Sequence, residues 1–231
     1  MAHDLTITLS EPRFRTYLRA AQGDETRAAD LYVANMRLSG AAHESLHMFE
    51  VVLRNTIDTQ LRAWNARRGG SRDWALEPIP LLRGVLDARG KLGDAEANAR
   101  SAVRRHKRAV THDDVLAQLT LGTWRYLLPS RRDAMKRVLW DEALVEAFPN
   151  LYGIPVTTLA DWVSMAYDLR NRVAHFEPIF SRDLYARRRA IYRTMKTVSR
   201  EAQAWFGAND RFHRAVEEFY IEWPEHKGSK L

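Results

Sequence analysis

The chain has 231 residues, of which 45% are hydrophobic, so it is long enough for one substantial domain with a packed core. It contains no cysteine, which excludes disulfides and thiolate metal sites. Lysine and arginine outnumber aspartate and glutamate by 36 to 29, and the net charge of +7 favours an anionic partner such as RNA, DNA or an acidic protein.

Hydropathy gives no sign of a membrane protein. The mean hydropathy is −0.44, and no apolar run approaches the roughly 20 residues that a spanning helix needs. The N-terminus lacks the basic and apolar segments of a secretory signal. We therefore expect a cytoplasmic protein that does not enter a membrane.

Apolar residues at helical spacing predict helices in the first part of the chain, and no strand alternation bounded by hairpin turns is present. We predict a helix after Ser10, a second from about Asp24 and a longer third from about Ala41 to Trp64, which a basic loop at 67–71 ends. The apolar positions of this third helix recur every three or four residues: Leu46, Phe49, Leu53, Ile57, Leu61 and Trp64.

The middle of the chain is more polar. Residues 72–108 are predicted as a highly charged helical insert, whose basic cluster is typical of a solvated helix face, with a nucleic-acid contact as the alternative. Thr111 predicts the start of a helix with acids in its first turn, continuing through Trp124. A further amphipathic segment runs from Arg131 to Phe148.

The last third of the chain is predicted to be helical as well. One helix has Thr157 or Thr158 as its expected cap and ends on the heptapeptide 169–175. A long helix from about residue 181 to 206 and a C-terminal tail helix within 207–231 follow. No internal repeat is present, so we predict a single all-α domain.

The heptapeptide, Leu-Arg-Asn-Arg-Val-Ala-His, carries two guanidiniums, a carboxamide and an imidazole, groups that bind phosphate and move protons near neutral pH. Asn171 and His175 are four residues apart, so they share one face of a helix. Arg170 lies about 140° around the axis from His175 and must reach around the helix to a shared ligand. We take Arg170, Asn171 and His175 as the candidate catalytic residues.

An ordinary charged helix end is the alternative interpretation of the same residues. Arg170 and Arg172 would then pair with surface acids such as Asp168. His175 would only cap the C-terminus of the helix, where a cation gains about 0.3–1 kcal/mol from the helix dipole. The residues alone leave both interpretations open.

The tripeptide Leu-Arg-Asn of the heptapeptide occurs a second time at residues 53–55. Glu50 and Arg54 are four residues apart with the acid first, the favourable order for an ion pair on a helix. A salt bridge or a polar seam between crossing helices explains this pattern. Alternatively, Glu50, Arg54 and Asn55 line the same cleft as the heptapeptide, and Glu50 orients its arginine or its histidine.

The other histidines are weaker candidates. His43 and His47 share a helix face, but no third ligand for a metal ion is evident, so we expect neither a metal nor an organic cofactor. His106, His112 and His213 are isolated in polar surroundings and are predicted to face solvent.

Three blocks of sequence carry a family resemblance. They are His47-Met-Phe-Glu-Val-Val-Leu-Arg-Asn-Thr-Ile57 within residues 12–66, Asp113-Asp-Val-Leu116 with Leu121-Gly-Thr-Trp124 within 112–128, and Arg170-Asn171 with His175 and Pro178 within 169–178. In this order they resemble the Abi-like group of the HEPN superfamily, bacterial proteins named for abortive phage infection. The signature of that superfamily is RxxxxH at the end of a buried helix, and the charged insert lies outside the resemblance.

The resemblance implies a helical bundle of HEPN type, one domain over residues 1–231, and metal-independent endoribonuclease activity. Members commonly form dimers in which two motifs face each other. Carried onto this chain, His175 is the catalytic acid/base, Arg170 a phosphate and transition-state ligand, and Asn171 an orienting polar group. The family often has a second histidine at the end of its motif, where this chain has Phe176.

The chemistry of RNA agrees with that implication. RNA carries its own nucleophile, the 2′-hydroxyl, and an imidazole between Arg170 and Arg172 is biased towards its neutral, basic form by like-charge proximity. The expected products end in a 2′,3′-cyclic phosphate and a 5′-hydroxyl. We therefore expect a toxin or antiviral effector that cleaves RNA as a homodimer with a composite site, and leave open an antitoxin partner. The alternative is a catalytically silent helical module that binds RNA or protein.

Overall fold

The computed structural model of the protein describes residues 8–87, 90–129 and 133–227, and this part of the chain is helical without any strand. The all-α prediction is confirmed. The α-helices are α1 (Glu11–Ala20), α2 (Glu25–Arg67), α3 (Pro80–Asp87), α4 (Lys91–Val103), α5 (His112–Gln118), α6 (Leu121–Leu127), α7 (Ala134–Glu142), α8 (Val156–Ala174), α9 (Leu184–Val198), α10 (Arg200–Asn209) and α11 (Arg211–Glu222). Short 3-10 turns follow α4, α7 and α11.

Helix α2 is the long central element, with 43 residues and contacts to α1, α8, α9 and α11. It begins where the Asp24 carboxylate accepts a hydrogen bond from the Arg27 amide at 2.9 Å. The predicted division into two helices near Ala41 is wrong. Gly40 lies exposed inside the helix, where a glycine costs only about 1 kcal/mol, and one apolar stripe is buried on both sides of it.

Helix α8 carries the heptapeptide and packs against α9 and α2. Its buried residues recur at the predicted spacing: Leu159, Val163, Ala166, Leu169 and Val173. The expected threonine cap is wrong, because the helix begins at Val156 with Pro155 in the cap position and no side-chain hydrogen bond there. Proline suits a helix start, since it lacks the amide that would need a partner.

Residues 72–108 contribute to the same core as the rest of the molecule. The predicted charged helical insert is present as two helices, α3 and α4. Its apolar residues are enclosed, while the charged residues that the structure describes there lie at the surface. The enclosed side chains are Trp74, Leu82, Val85, Leu86, Leu92, Ala95 and Ala99. The segment is therefore charged on its surface but is built into the fold.

Two predicted long helices are each divided in the structure. Thr111 and Asp114 form the capping box that starts α5, yet this helix ends at Gln118 and α6 begins separately. Ser199 has extended backbone angles of φ −158° and ψ 160° and ends α9, while its hydroxyl accepts a hydrogen bond from the Ala202 amide and caps α10. A side-chain cap thus accompanies the division at Ser199, whereas Thr120, in the cap position before α6, makes no side-chain hydrogen bond to that helix.

Some predicted boundaries fall outside the described residues. The predicted start at Arg131 is one of them, and α7 begins at Ala134. The last four residues of the predicted tail, 228–231, are another, whereas the tail helix itself is present as α11. Among the described helices, none combines the length and the apolar character that a membrane crossing requires.

Candidate active site

The heptapeptide forms the last turns of α8 and its cap. Leu169 and Val173 point into the core and are buried, so they fix the rotation of the helix end. Arg170 and Asn171 are half-buried, and His175 is exposed at the C-cap position. Among the described residues, no hydrogen bond or ion pair engages the His175 imidazole. The ring is therefore accessible to a ligand.

The end of α8 is closed by a Schellman motif in which the left-handed position is occupied by an aromatic residue instead of glycine. The amide hydrogen bonds run from His175 to Asn171 (2.9 Å), from Phe176 to Val173 (3.1 Å) and from Glu177 to Arg172 (2.8 Å). Phe176 has φ +55°, a conformation that costs a non-glycine residue roughly 1–2 kcal/mol, and 74% of its surface is exposed. Strained residues of this kind occur preferentially at functional sites.

Arg170 meets Glu50 of α2. The Arg170 Nε lies 3.7 Å from the Glu50 Oε2, and the two side chains are 35% and 24% exposed. At that distance the contact is an ion pair without a hydrogen bond, so it orients the arginine but holds it loosely. Of the predicted supporting residues, Glu50 is thus brought to the heptapeptide.

Arg54 and Asn55 are placed differently. The Arg54 Nε donates to the Asn55 Oδ1 at 3.2 Å, and the Asn55 carbonyl accepts from the Thr59 hydroxyl at 2.9 Å. Among the described residues, no hydrogen bond or ion pair joins either side chain to the heptapeptide. The second Leu-Arg-Asn therefore contributes to the site through its neighbour Glu50.

Arg172 pairs with an acid beyond the helix end. Its Nη1 lies 3.1 Å from the Glu177 Oε2 and 3.5 Å from the Pro178 carbonyl oxygen. Asp168, which the helix-end interpretation pairs with these arginines, instead contacts Arg187 of α9 at 2.8 Å. Both heptapeptide arginines therefore have acidic partners: Arg170 pairs with Glu50, as one of the two interpretations expected, and Arg172 pairs with Glu177, which the sequence did not indicate.

The positions along α8 show which side chains surround His175. At about 100° per residue, Asp168 and Arg172 lie within about 60° of His175, and Asn171 lies about 40° to the other side. Arg170 is about 140° away, on the side that faces α2. The guanidinium nearest to the imidazole by helix position is therefore that of Arg172, and Arg170 approaches from the flank.

These groups together suit acid–base work on an anion. An exposed imidazole can take and return a proton near neutral pH, a carboxamide can orient a ligand, and guanidiniums can bind phosphate oxygens in a fork. No group of three or more metal-ligating side chains is found within the described ranges. The arrangement itself supplies a base and cations.

A second polar cluster, which the sequence did not indicate, lies in the core around Asp58. The prediction that His112 faces solvent is wrong, because this residue is only 3% exposed. Its Nδ1 accepts the Ala75 amide at 3.3 Å, so its Nε2 carries the proton that is donated to the Asp58 Oδ1 at 2.8 Å. Trp74 also donates to the Asp58 Oδ1, at 2.7 Å.

The Asp58 carboxylate is held in its ionised form by these donors. Burial raises its pKa, but the hydrogen bonds from His112, Arg62 and Trp74 more than offset that effect, and the pKa lies below its ordinary value of 3.8. The cluster is enclosed and joins α2 to α5 and to the segment before α3. The cluster therefore stabilises the fold. Its residues are too far apart in sequence for a local pattern to predict it.

Comparisons with protein-family models, with curated proteins and with solved structures found no match to this chain. The case for a function therefore depends on the geometry of the heptapeptide and on the three blocks of sequence.

Proposed function

We propose that the protein is a metal-independent endoribonuclease of the abortive-infection type. The observation that carries this proposal is the exposed His175 imidazole at the end of α8, one turn from Asn171 on the helix that also carries Arg170 and Arg172. An accessible base with adjacent phosphate ligands is what cleavage of RNA by its own 2′-hydroxyl requires.

The proposed reaction has two proton transfers. His175 takes the proton of the 2′-hydroxyl while the 2′-oxygen forms a bond to phosphorus, and the bond from phosphorus to the 5′-oxygen breaks. The leaving 5′-oxygen must gain a proton from a second acid, which a His175 of another copy can provide. Arg172 from the near side and Arg170 from the flank stabilise the added negative charge, and Asn171 orients the phosphate.

A homodimer with a composite site fits the exposed Phe176. An aromatic side chain that is strained in its backbone and lies in solvent beside His175 is stabilised if a second copy covers it. In the proposed dimer the twofold axis passes near Phe176, and the two His175 side chains then lie on either side of it. The same surface offers a place where an antitoxin could block the site.

A silent binding module is the second candidate. It is favoured by the acidic partners of the arginines, since Glu50 and Glu177 already neutralise Arg170 and Arg172. In an active site, the substrate phosphate must compete with these carboxylates. Both pairs are partly solvent-exposed, and exposed ion pairs contribute at most about 1 kcal/mol, so a bound phosphodiester can displace them.

The test is RNA cleavage by the purified protein in EDTA, with a panel of single-stranded, hairpin and transfer RNAs. We expect the wild type to produce fragments that end in a 2′,3′-cyclic phosphate, and His175→Ala to be slower by about 100-fold or more. His47→Ala removes another exposed histidine and should cleave like the wild type. Cleavage that survives in His175→Ala, or that EDTA abolishes, contradicts the proposal, and RNA binding without cleavage supports the module.

A further inference from the structure

Three arginines converge where α8 is followed by α9. Arg172 belongs to the last turn of α8, Arg182 to the connection and Arg187 to the first turns of α9. The Arg187 Nη2 contacts Asp168 at 2.8 Å, and Arg172 contacts Glu177 at 3.1 Å. Two of the three cations thus have a carboxylate partner, and each of those carboxylates is about half exposed to solvent.

Two of these guanidiniums hold a buried N–H without a hydrogen-bond partner. They are those of Arg172 and Arg182, whose Nε atoms are both enclosed and meet no acceptor in the described part of the chain. Arg182 also forms no ion pair with any described residue. Buried donors are nearly always satisfied in proteins, so two in one cluster point to an acceptor that this cluster is built to receive.

The third guanidinium, that of Arg187, feels the positive charge of the other two. Its side chain is only 13% exposed, and its Nη1 donates to the Met165 carbonyl at 3.1 Å. Burial lowers the pKa of Arg187, Asp168 opposes that effect, and the nearby Arg182 and Arg172 lower it further. Like charges are therefore held close together, and a bound anion would relieve their repulsion.

The basic cluster at 100–108 has no comparable arrangement. Its Arg100 contacts Glu96 at 2.9 Å, and Arg108 contacts Asp114 at 2.5 Å. These side chains are exposed, and no buried donor in that segment lacks an acceptor. The cluster between α8 and α9 is thus distinguished by enclosure and by its unsatisfied donors, and not by charge alone.

We propose that Arg172, Arg182 and Arg187 form a phosphate-binding subsite beside His175. Arginine presents two parallel N–H groups to a phosphate, and an Nε–H together with an Nη–H is one such fork. Arg172 lies within about 60° of His175 on α8, so the subsite lies beside the imidazole. The phosphate bound there is a neighbour, along the chain, of the phosphate at the imidazole. The assignment to an RNA phosphodiester rests on the proposed function, whereas the binding of a phosphate group does not.

The test uses the full chain in the His175→Ala background, in which RNA is not consumed. Binding of a fluorescent single-stranded RNA is followed by anisotropy at several salt concentrations. We expect Arg182→Gln to weaken binding by about tenfold and to reduce the slope of log K against log salt by about one. Arg189→Gln, on an exposed face of α9 and without a partner among the described residues, loses the same charge and should change affinity less than twofold.

A second measurement separates a phosphate site from a structural role. Inorganic phosphate should raise the thermal midpoint of the wild type above that in chloride of equal ionic strength, and this increase should be absent in Arg182→Gln. The variant itself should not unfold at a lower temperature, because it removes a cation whose enclosed Nε has no acceptor. Arg182→Lys, which keeps the charge without the fork, should recover only part of both effects.

Each other outcome has a defined meaning. Equal RNA affinity in Arg182→Gln and Arg189→Gln, together with an unchanged phosphate effect on the thermal midpoint, overturns the subsite. If Arg182→Gln loses the stabilisation by inorganic phosphate but binds RNA as before, the cluster is a site for free phosphate and not for RNA. If Arg182→Gln loses RNA binding while the wild type never cleaves RNA, the subsite stands and the nuclease proposal fails.

Discussion

Glu50 contacts the heptapeptide from another helix. It reaches from α2 to the Arg170 Nε at 3.7 Å, and both side chains keep contact with solvent. A pair with that exposure contributes little to the free energy of unfolding but restricts where the guanidinium points. Glu50 is therefore a positioning residue in the proposed site.

We predict that Glu50→Gln slows RNA cleavage by about tenfold while changing the free energy of unfolding by less than about 1 kcal/mol. Cleavage rates and urea unfolding curves measure the two effects. Glu44→Gln is the matched control, since Glu44 lies on the same helix and pairs with Arg211 on an exposed surface. A Glu50→Gln protein that fails to fold would support a structural salt bridge instead.

Phe176 combines strain with exposure, and the two properties can be separated by substitution. We predict that Phe176→Gly stabilises the monomer by about 1 kcal/mol, because glycine adopts the left-handed conformation without steric cost, and that it weakens self-association. Urea unfolding and sedimentation measure these quantities. Gln22→Gly relieves a similar φ of +56° in the turn after α1, so it should stabilise the fold and leave association unchanged. Unaltered association in Phe176→Gly counts against a dimer at this surface.

At the scale of elements, the apolar periodicity identified the buried stripes but not where helices end. The predicted division near Ala41 is absent, because the apolar residues on both sides of Gly40 are buried in one core and stay in register. Ser199 causes a break that periodicity missed, because its hydroxyl satisfies an amide of the next helix. Tertiary packing therefore keeps α2 continuous, and a single side-chain cap separates α9 from α10.

Substitutions at two glycines, one in α2 and one in α6, test the packing of these helices and are expected to change stability in opposite directions. We predict that Gly40→Ala stabilises the fold by about 1 kcal/mol, since an added Cβ meets nothing within 4 Å and alanine favours the helix. Gly122→Ala should destabilise it, because the Cβ would lie 3.1 Å from the Tyr167 ring. Urea midpoints measure both, and a destabilising Gly40→Ala would show that α2 is bent or interrupted there.

At the scale of the whole molecule, local patterns predicted the helical class, the buried face of α8 and the candidate residues of the heptapeptide. Glu50 could be indicated because its helix repeats the tripeptide of the heptapeptide. The bond between Asp58 and His112 joins residues 54 positions apart, and the arginine cluster depends on how α9 returns along α8. Such long-range contacts have no signature in a single sequence.

The Asp58 cluster predicts how stability depends on pH. The folded-state pKa of Asp58 lies below the unfolded value of about 3.9, so its stabilisation is complete above that pH and is lost as the pH falls through the folded-state pKa. We expect Asp58→Asn to cost about 1–3 kcal/mol at pH 7 and the difference from the wild type to shrink below about pH 4. Urea unfolding between pH 7 and 3 measures this difference, and a pH-independent difference would contradict the assignment.

The central claim is that His175 directs attack by a 2′-hydroxyl, and one substituted substrate tests it most directly. After the cleavage position in an RNA oligonucleotide is mapped, the same oligonucleotide is prepared with a single 2′-deoxy nucleotide on the 5′ side of that position. The account predicts that the unsubstituted RNA yields a 2′,3′-cyclic phosphate and a 5′-hydroxyl, and that the substituted one is not cut there. Equal cleavage of both would contradict it.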